Sequence, residues 1–360
     1  MKSKYYDIRD DLNAFPECWC FLVWSKRGPG KTYSSLRYMI ENDKKFVFMK
    51  RTIKDVNMMC ARIQKTDGEG DDEVSPFAPL NRDFGWNIYP FRIEEGLAGF
   101  YHGELDDKGK LQPVGPLLGW IIACSAVSKF KGFDMSAADF LIFDECIPKP
   151  WERVNHTEGD SVLDLYMTIA RDRVKRGRPE LKMLCLANAT SLNNPLFSTL
   201  EVMDTAAEMD ILNREFTKLD TGILLHFIPG NFDIQEGQEK IGIQKHMEGT
   251  AWGEMAFGGH FAYNDFTCIG RTSLKGYSPV CAVSYKKDNY YIYRKESKYY
   301  MCRSRHQSHK IYNLNRETEL KLFYIEQLLD LREECIQGNM LFETFTMYDI
   351  IMNYKKYFSL

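Results

Sequence analysis

Three things are scarce in this chain, and each scarcity closes off a class of function. Net charge is nearly balanced: 47 Lys and Arg face 50 Asp and Glu, a formal −3, so no global field draws the protein to nucleic acid or an anionic membrane. Any such attraction has to come from a local patch. Metal-type cysteine spacing is missing: the ten cysteines (18, 20, 60, 124, 146, 185, 268, 281, 302 and 335) form no C-x-x-C pair and no His/Cys cluster at zinc spacing. Long apolar runs are missing as well. CWCFLVW and PLLGWIIACSAV are too short to span a bilayer, and the opening MKSKYYDIRDDLNAF is too polar for a signal peptide. Together these predict buried thiols in a reduced, cytoplasmic setting and no membrane partner.

What is present is an ordinary globular composition, 44% hydrophobic and 27% charged, over 360 residues. That length accommodates about two or three domains. CWCFLVW (18–24) is a continuous apolar run ending in a Gly/Pro loop, as a buried parallel strand does. Helical spacing follows over 32–42, a second strand at FVFMK (46–50) and a helix over 56–63, which makes a βαβ unit. The acidic, turn-rich 66–83 reads as an exposed insertion. Further strands are expected at IIACSAV (121–127), DFLIFDE (139–145) and LKMLCLA (181–187), with a helix over 162–171 between the last two. Strands alternating with helices predict a three-layer α/β/α sandwich with a mostly parallel sheet. After about residue 205 the pattern changes to strands at HFIPGNFDI, FGGHFAYNDF, VCAVSY and NYYIYR, then helices over 317–332 and 342–357. The expected division is a P-loop domain over 1–205, a linker over 206–230 and a smaller α/β domain over 231–360.

The chemistry starts at Ser25-Lys26-Arg27-Gly28-Pro29-Gly30-Lys31-Thr32, which departs from G-x-x-x-x-G-K-[ST] only at its first position. Such a loop turns tightly enough for backbone N–H groups to face phosphates at the positive end of the next helix. Gly28 and Gly30 supply the turn, Lys31 reaches the β- and γ-phosphates of ATP, and the Thr32 hydroxyl serves Mg²⁺. FLIFDE (140–145) has the Walker B form. Asp144 is expected to hold Mg²⁺ opposite Thr32, and Glu145 to polarise the attacking water. Taken alone, either string also fits a solvated turn or strand end; their order on an α/β pattern points to ATP hydrolysis. Two weaker candidates are Asn188 or Thr190 after LCLA, placed to touch the γ-phosphate, and Arg171 or Arg173 in IARDRVKRGR as an arginine finger. A polar strand end accounts for the first equally well, and a solvated basic helix end or loop accounts for the second better until other information is added.

One local patch stands out against the balanced charge. Residues 286–310 carry eight Lys/Arg against Asp288 and Glu296, interleaved with five tyrosines. Lys286, Lys287, Arg294, Lys295 and Lys298 are therefore candidates for tracking a phosphate backbone. The alternative is a hairpin whose tyrosines cover a core while its lysines sit in water. VCAVSY and YIYR hold no acid for a two-metal nuclease, so no nuclease activity is expected.

With these residues in place, the chain resembles the DNA-encapsidation ATPases of small podoviruses with protein-primed genomes, relatives of terminase large subunits. Arg27-Gly28-x-Gly30-Lys31 is similar to that family's R-G-x-G-K, and FDE (143–145) to its Walker B. ANATSLNNPLF (187–197) is similar to its S-N-A-x-S-x-x-N-P-x-F stretch, and Gly249-Thr250-Ala251-Trp252-Gly253-Glu254-Met255 to its G-T-x-Y-G-E-M. Ser25 departs from the first loop glycine, and Ala170 from the aromatic before the family's R-x-R.

The resemblance implies an ASCE-type ATPase domain followed by a ribonuclease-H-like domain without metal-binding acids. It implies a homo-oligomeric ring, a pentamer, that moves double-stranded viral DNA into a procapsid. That ring works through the portal (connector), with a packaging RNA or other adaptor between them, in the host cytoplasm and transiently at the portal vertex. It also implies Arg171 as a trans-acting finger, Lys131 as a second basic residue at the subunit interface, and Asn188 at a coupling position. A nucleic-acid-stimulated ATPase or helicase, and a nucleotide-switched scaffold that binds DNA or portal, remain as rival readings.

Overall fold

Cys20–Ser25 (β1) is buried at every position, as a strand covered on both sheet faces must be. In the computed structural model, which describes residues 5–64, 71–130, 132–149, 152, 154–229, 242–253, 256–257, 259–261, 264, 266–306 and 310–354, the chain divides into two compact units. The first comprises 1–200 and 212–263, the second 201–211 and 264–360.

The first unit is built on one nine-stranded sheet. Its strands are β1, β2 (Phe46–Lys50), β5 (Ile88–Glu94), β6 (Leu97–Leu105), β7 (Leu111–Ala123), β8 (Phe140–Asp144), β9 (Lys182–Asn188), β10 (Phe216–Lys218) and β11 (Ile223–Ile228). β3 (Arg62–Gln64) and β4 (Asp71–Glu73) form a separate two-stranded hairpin. The order is β10-β11-β1-β9-β8-β2-β7-β6-β5, parallel from β11 through β7 and antiparallel at both margins. β9 therefore lies between the loop-bearing β1 and the acid-bearing β8, the inserted-strand arrangement of the expected ASCE type. Helices α1 (Ile8–Ala14), α2 (Lys31–Glu41), α3 (Ile53–Met59), α4 (Ala78–Phe84), α5 (Glu158–Ala170) and α6 (Pro195–Thr199) accompany the sheet. Two short helices, α8 (Gly242–His246) and α9 (Ala251–Gly253), also belong to this unit.

Its core is aromatic. Phe46, Phe48, Phe77 and Phe100 pack edge to face or tilted on one side, and Trp24 meets Phe197, Phe227 and Phe261 elsewhere. Each fully buried ring contributes about 1.5–3 kcal/mol by removal from water.

Several expectations are corrected. Residues 206–230 are not a linker: β10 and β11 complete the main sheet, because ILLHFI is apolar enough to sit buried against β1. Their upstream neighbour α7 (Met203–Ile211) belongs to the second unit, so the chain crosses between units more than once. The 66–83 stretch is not wholly exposed, since Phe77 and Leu80 at α4 are buried. Only the IIA of IIACSAV is strand, as the end of the longer β7, and from Cys124 to Phe130 the chain is a 3₁₀ helix. Among the described residues of FGGHFAYNDF none is in a strand.

The second unit carries a five-stranded sheet, β15-β12-β13-β14-β16, where β12 is Ser278–Tyr285, β13 Asp288–Lys295, β14 Lys298–Cys302, β15 Ile311–Asn313 and β16 Met340–Phe342. β12, β13 and β14 form an antiparallel meander, and β15 and β16 flank it in parallel. One face buries Val283, Tyr290, Ile292 and Met301 with residues of α10 (Glu317–Phe323), α11 (Leu329–Ile336) and α12 (Phe345–Met352). The other gathers Tyr291, Tyr293, Tyr300 and Cys302. The ribonuclease-H-like assignment of this unit rests on the sequence resemblance. Among the described residues no helix is long and apolar enough to cross a membrane.

Candidate nucleotide site

Register brings the site together. Ser25 at the end of β1 lies beside Asn188 at the end of β9, Asp144 at the end of β8 beside Leu186, and Phe143 beside Met49 of β2. Four carboxyl ends thus meet at one sheet edge, where open parallel sheets bind ligands. A cleft of about 290 Å³ opens there, lined by residues 27–33, Asp144, Glu145 and residues 186–188.

The loop has the backbone its chemistry needs. Gly28 and Gly30 take φ of +93° and +94°, a left-handed region where a Cβ is strained. Gly30 caps α2 at its amino end without a side chain in the way. The loop is braced from several sides. Tyr6 N–H donates to the Pro29 carbonyl at 2.9 Å, and Ile8 N–H to the Ser34 hydroxyl at 3.2 Å. Below that brace, buried Asp11 accepts from the Tyr6 hydroxyl at 2.8 Å and faces His226 Nδ1 at 2.8 Å. Gly259 approaches the start of the loop so closely that a Cβ there would lie 2.7 Å from Lys26 N.

Ser25, the departure from the motif, is fully buried, and its hydroxyl accepts from the Lys31 ammonium. Lys31 Nζ also donates to the Lys26 carbonyl at 3.2 Å and to Asn188 Oδ1 at 3.4 Å. Burial pushes its pKa down to about 8, against the pull of Asp144. Thr32 donates its hydroxyl proton to Asp144 Oδ1 at 2.8 Å, so the two groups expected to serve Mg²⁺ are already adjacent. Hydroxyl and carboxylate oxygens are the hard donors that Mg²⁺ takes, and the pair fits it. Glu145 is 57% exposed at the cleft with φ of +56°, a conformation costing about 1–3 kcal/mol for a non-glycine residue.

Two residues escaped the sequence reading. Lys50 ends β2, and its ammonium lies 2.8 Å from Asp144 Oδ2 and 3.2 Å from Glu145 Oε2. Burial works against that charge, yet the two carboxylates leave its pKa above the ordinary value. Arg51 follows it and donates to the Glu145 and Cys146 carbonyls at 3.0 and 3.1 Å. The available signal was a basic pair closing the apolar FVFM run.

The remaining candidates are scattered. Thr190 donates to the Pro148 carbonyl at 2.8 Å and is buried, so its hydroxyl is committed to the fold. Arg173 is 1% exposed and donates to the carbonyls of Ser136 (2.8 Å), Ala138 and Pro179 (3.1 Å) and to Asp139 (2.9 Å). That makes it a clamp at the amino ends of β8 and β9, whereas Arg171 is exposed just past α5. Lys131 lies outside the described residues.

The five basic candidates for DNA contact do not form one patch. Lys286 and Lys287 sit at the β12–β13 turn, Arg294, Lys295 and Lys298 around the β13–β14 turn, at opposite ends of an eight-residue strand. That strand separates them by roughly 24 Å. Lys287 pairs with Glu201, and further along Arg303 pairs with Asp204 and Lys310 with Glu326. The tyrosines between them, Tyr290, Tyr291, Tyr293 and Tyr300, are core residues.

Comparison with known proteins gives the chain a family. The chain is 26% identical over 223 residues to a DNA packaging protein of Bacillus phage PZA, covering 57% of this chain and 63% of that protein. It is 27% identical over 211 residues to the DNA packaging protein of Bacillus phage phi29, covering 54% and 59%. The chain thus spans about three-fifths of the length of these curated relatives. Among solved structures, the bacteriophage Phi-29 viral genome packaging motor assembly matches with a TM-score of 0.65 at 19% identity, over 98% of this chain and 99% of that one. The Phi-28 gp11 DNA packaging motor matches at 0.60 and 18%, over 98% and 97%. Both show the fold. The family described as Podovirus DNA encapsidation protein (Gp16) matches residues 97–322, more than half of the sequence, and the chain belongs to that family.

Proposed function

We propose that this protein is the ATP-hydrolysing subunit of a motor that translocates viral double-stranded DNA into a preformed procapsid. The observation that carries the reading is the convergence of Lys31, Thr32, Asp144 and Glu145 on one cleft, in a chain of an encapsidation family. The loop amides and Lys31 bind the phosphates of ATP, with Ser25, Lys26, Arg27 and Pro29 shaping the turn. Thr32 and Asp144 hold Mg²⁺, which when bound neutralises charge on the β- and γ-phosphate oxygens. Glu145 orients the attacking water and takes its proton. Asn188, within 3.4 Å of Lys31, reports the state of the γ-phosphate to β9.

Arg171 acts on the nucleotide of a neighbouring copy in a ring. The Arg173 clamp holds this segment at the amino ends of β8 and β9, while the loop lies at their carboxyl ends. β9 alone spans roughly 20 Å, too far for an arginine to reach its own site. Since Arg173 is consumed by backbone carbonyls, Arg171 is the finger. Lys131 keeps the interface role that the resemblance implies. A pentameric ring, a portal partner, an adaptor such as RNA, and a site of action at the portal vertex in the host cytoplasm complete the proposal. The second unit contacts DNA without cutting it.

The test is ATP turnover by purified protein, alone, with blunt duplex and with purified portal, alongside unwinding of a forked duplex. A motor gives turnover stimulated by duplex or portal and no unwinding. Unwinding would move the reading to a helicase, and absent turnover under every condition to a nucleotide-switched scaffold.

A further inference from the structure

Arg51 is not among the residues that line the cleft, yet its guanidinium is almost fully engaged around the catalytic acid. Thr52 caps α3 in a reciprocal box with Asp55, which ends β2 at a fixed point and aims the preceding side chain. From there Nη2 donates to the carbonyls of Glu145 and Cys146 at 3.0 and 3.1 Å. Nη1 donates to Glu152 at 3.1 Å and Nε to Glu158 at 2.9 Å. The group lies 5.8 Å over the ring of Phe143, the residue before Asp144. Glu158 is buried at the start of α5.

We infer that Arg51 is the positioning residue of Glu145: it holds the left-handed backbone turn after β8 that aims the carboxylate into the cleft. The reasoning is conformational. A glutamate at φ of +56° reverts to a relaxed backbone unless its surroundings over-determine it. Two restraints are visible, the Cys146 N–H to Leu186 carbonyl bond of 3.0 Å and the Arg51 fork on the two carbonyls. The first fixes the exit of the turn to β9. The second fixes the turn to β2 and, through Glu158, to α5. A planar guanidinium serves four acceptors at once in a way that a lysine point charge does not. Lys50, one residue earlier, holds the acid's side chain, while Arg51 holds its backbone.

This inference rests on Glu145 being the base, and the experiment separates the two claims. Arg51→Ala and Arg51→Lys are measured for kcat, KM for ATP and ADP affinity. Each is then repeated in a Glu145→Gln background by single-turnover hydrolysis. A positioning role predicts a kcat loss of about 30-fold or more in Arg51→Ala, with KM and ADP affinity within about 3-fold, since phosphates are bound elsewhere. It also predicts no further loss when Arg51→Ala is added to Glu145→Gln, because there is no carboxylate left to aim. The inference is overturned by an unchanged kcat. It is equally overturned by ADP affinity falling in step with kcat, or by the two losses multiplying. Should Arg51→Ala fail to fold, Arg51→Lys, which keeps the charge and loses the fork, is judged by the same criteria. Normal turnover in Glu145→Gln alone removes the base assignment itself, a distinct result.

Discussion

The cleft of the first unit and the basic hairpins of the second treat sequence distance in opposite ways. At the cleft, residues far apart in the chain bond one another: Lys31 to Asn188, and both Thr32 and Lys50 to Asp144. In the second unit, lysines only a few residues apart are sent to opposite ends of one strand. The difference is geometric. A parallel sheet collects every strand's carboxyl end at one edge, so chemistry placed there converges whatever its spacing. A meander reverses at every turn, so a charge run along it is divided.

Predictions that bear on this contrast run from large to small. Lys31→Met is expected to abolish ATP turnover while stabilising the nucleotide-free protein. The folded pKa of about 8 lies below the ordinary 10.5, so between those pH values the unfolded chain binds a proton that the folded chain does not. Stability therefore rises with pH across that window, and below it the folded state carries the full cost of a buried ammonium. Denaturant titrations should show Lys31→Met more stable than wild type by about 1–3 kcal/mol at pH 7, a gap that narrows above pH 8. No change in the gap with pH would show that Lys31 titrates normally.

Gly259→Ala should displace the loop, since the new Cβ meets Lys26 N at 2.7 Å on a positive-φ backbone. ATP affinity should drop about tenfold and stability by about 2 kcal/mol, read by nucleotide titration and unfolding. Wild-type affinity would mean that the 259–261 segment does not brace the loop.

The two arginines should separate cleanly. Arg173→Ala is expected to cost about 3 kcal/mol by orphaning buried carbonyls, whereas Arg171→Ala should leave the melting temperature within a few degrees. Turnover lost in Arg171→Ala should return in mixed oligomers with a subunit carrying a dead Walker B and an intact finger. Failure of mixing to restore turnover would remove the trans assignment.

The smallest effects belong to the divided basic segment. Neutralising Arg294, Lys295 and Lys298 together should reduce the salt dependence of duplex binding by up to about three units of slope if that end faces DNA. Lys287→Ala, whose charge is already paired with Glu201, should change little. Equal effects from both ends would show that the DNA path runs the length of β13.

Much of this was legible in the sequence where a pattern maps onto one strand or one turn. The P-loop, FLIFDE, the alternating strands and the mostly parallel sheet can all be read locally. Partners supplied by register were not legible. Nothing in FVFMK says that Lys50 lands beside Asp144, because that pairing is set by β2 lying next to β8. The same holds for Arg173, whose string IARDRVKRGR reads as a solvated basic stretch until tertiary packing buries it against β8. The misplaced linker has a third cause. A short apolar strand such as ILLHFI carries no mark of which sheet it completes.

The most direct test of the central claim is steady-state ATP turnover of Glu145→Gln beside its ATP affinity, measured with duplex DNA present. If the cleft is a hydrolytic site, turnover falls by about a thousandfold or more while ATP still binds near wild-type strength. Turnover at the wild-type rate would contradict the account.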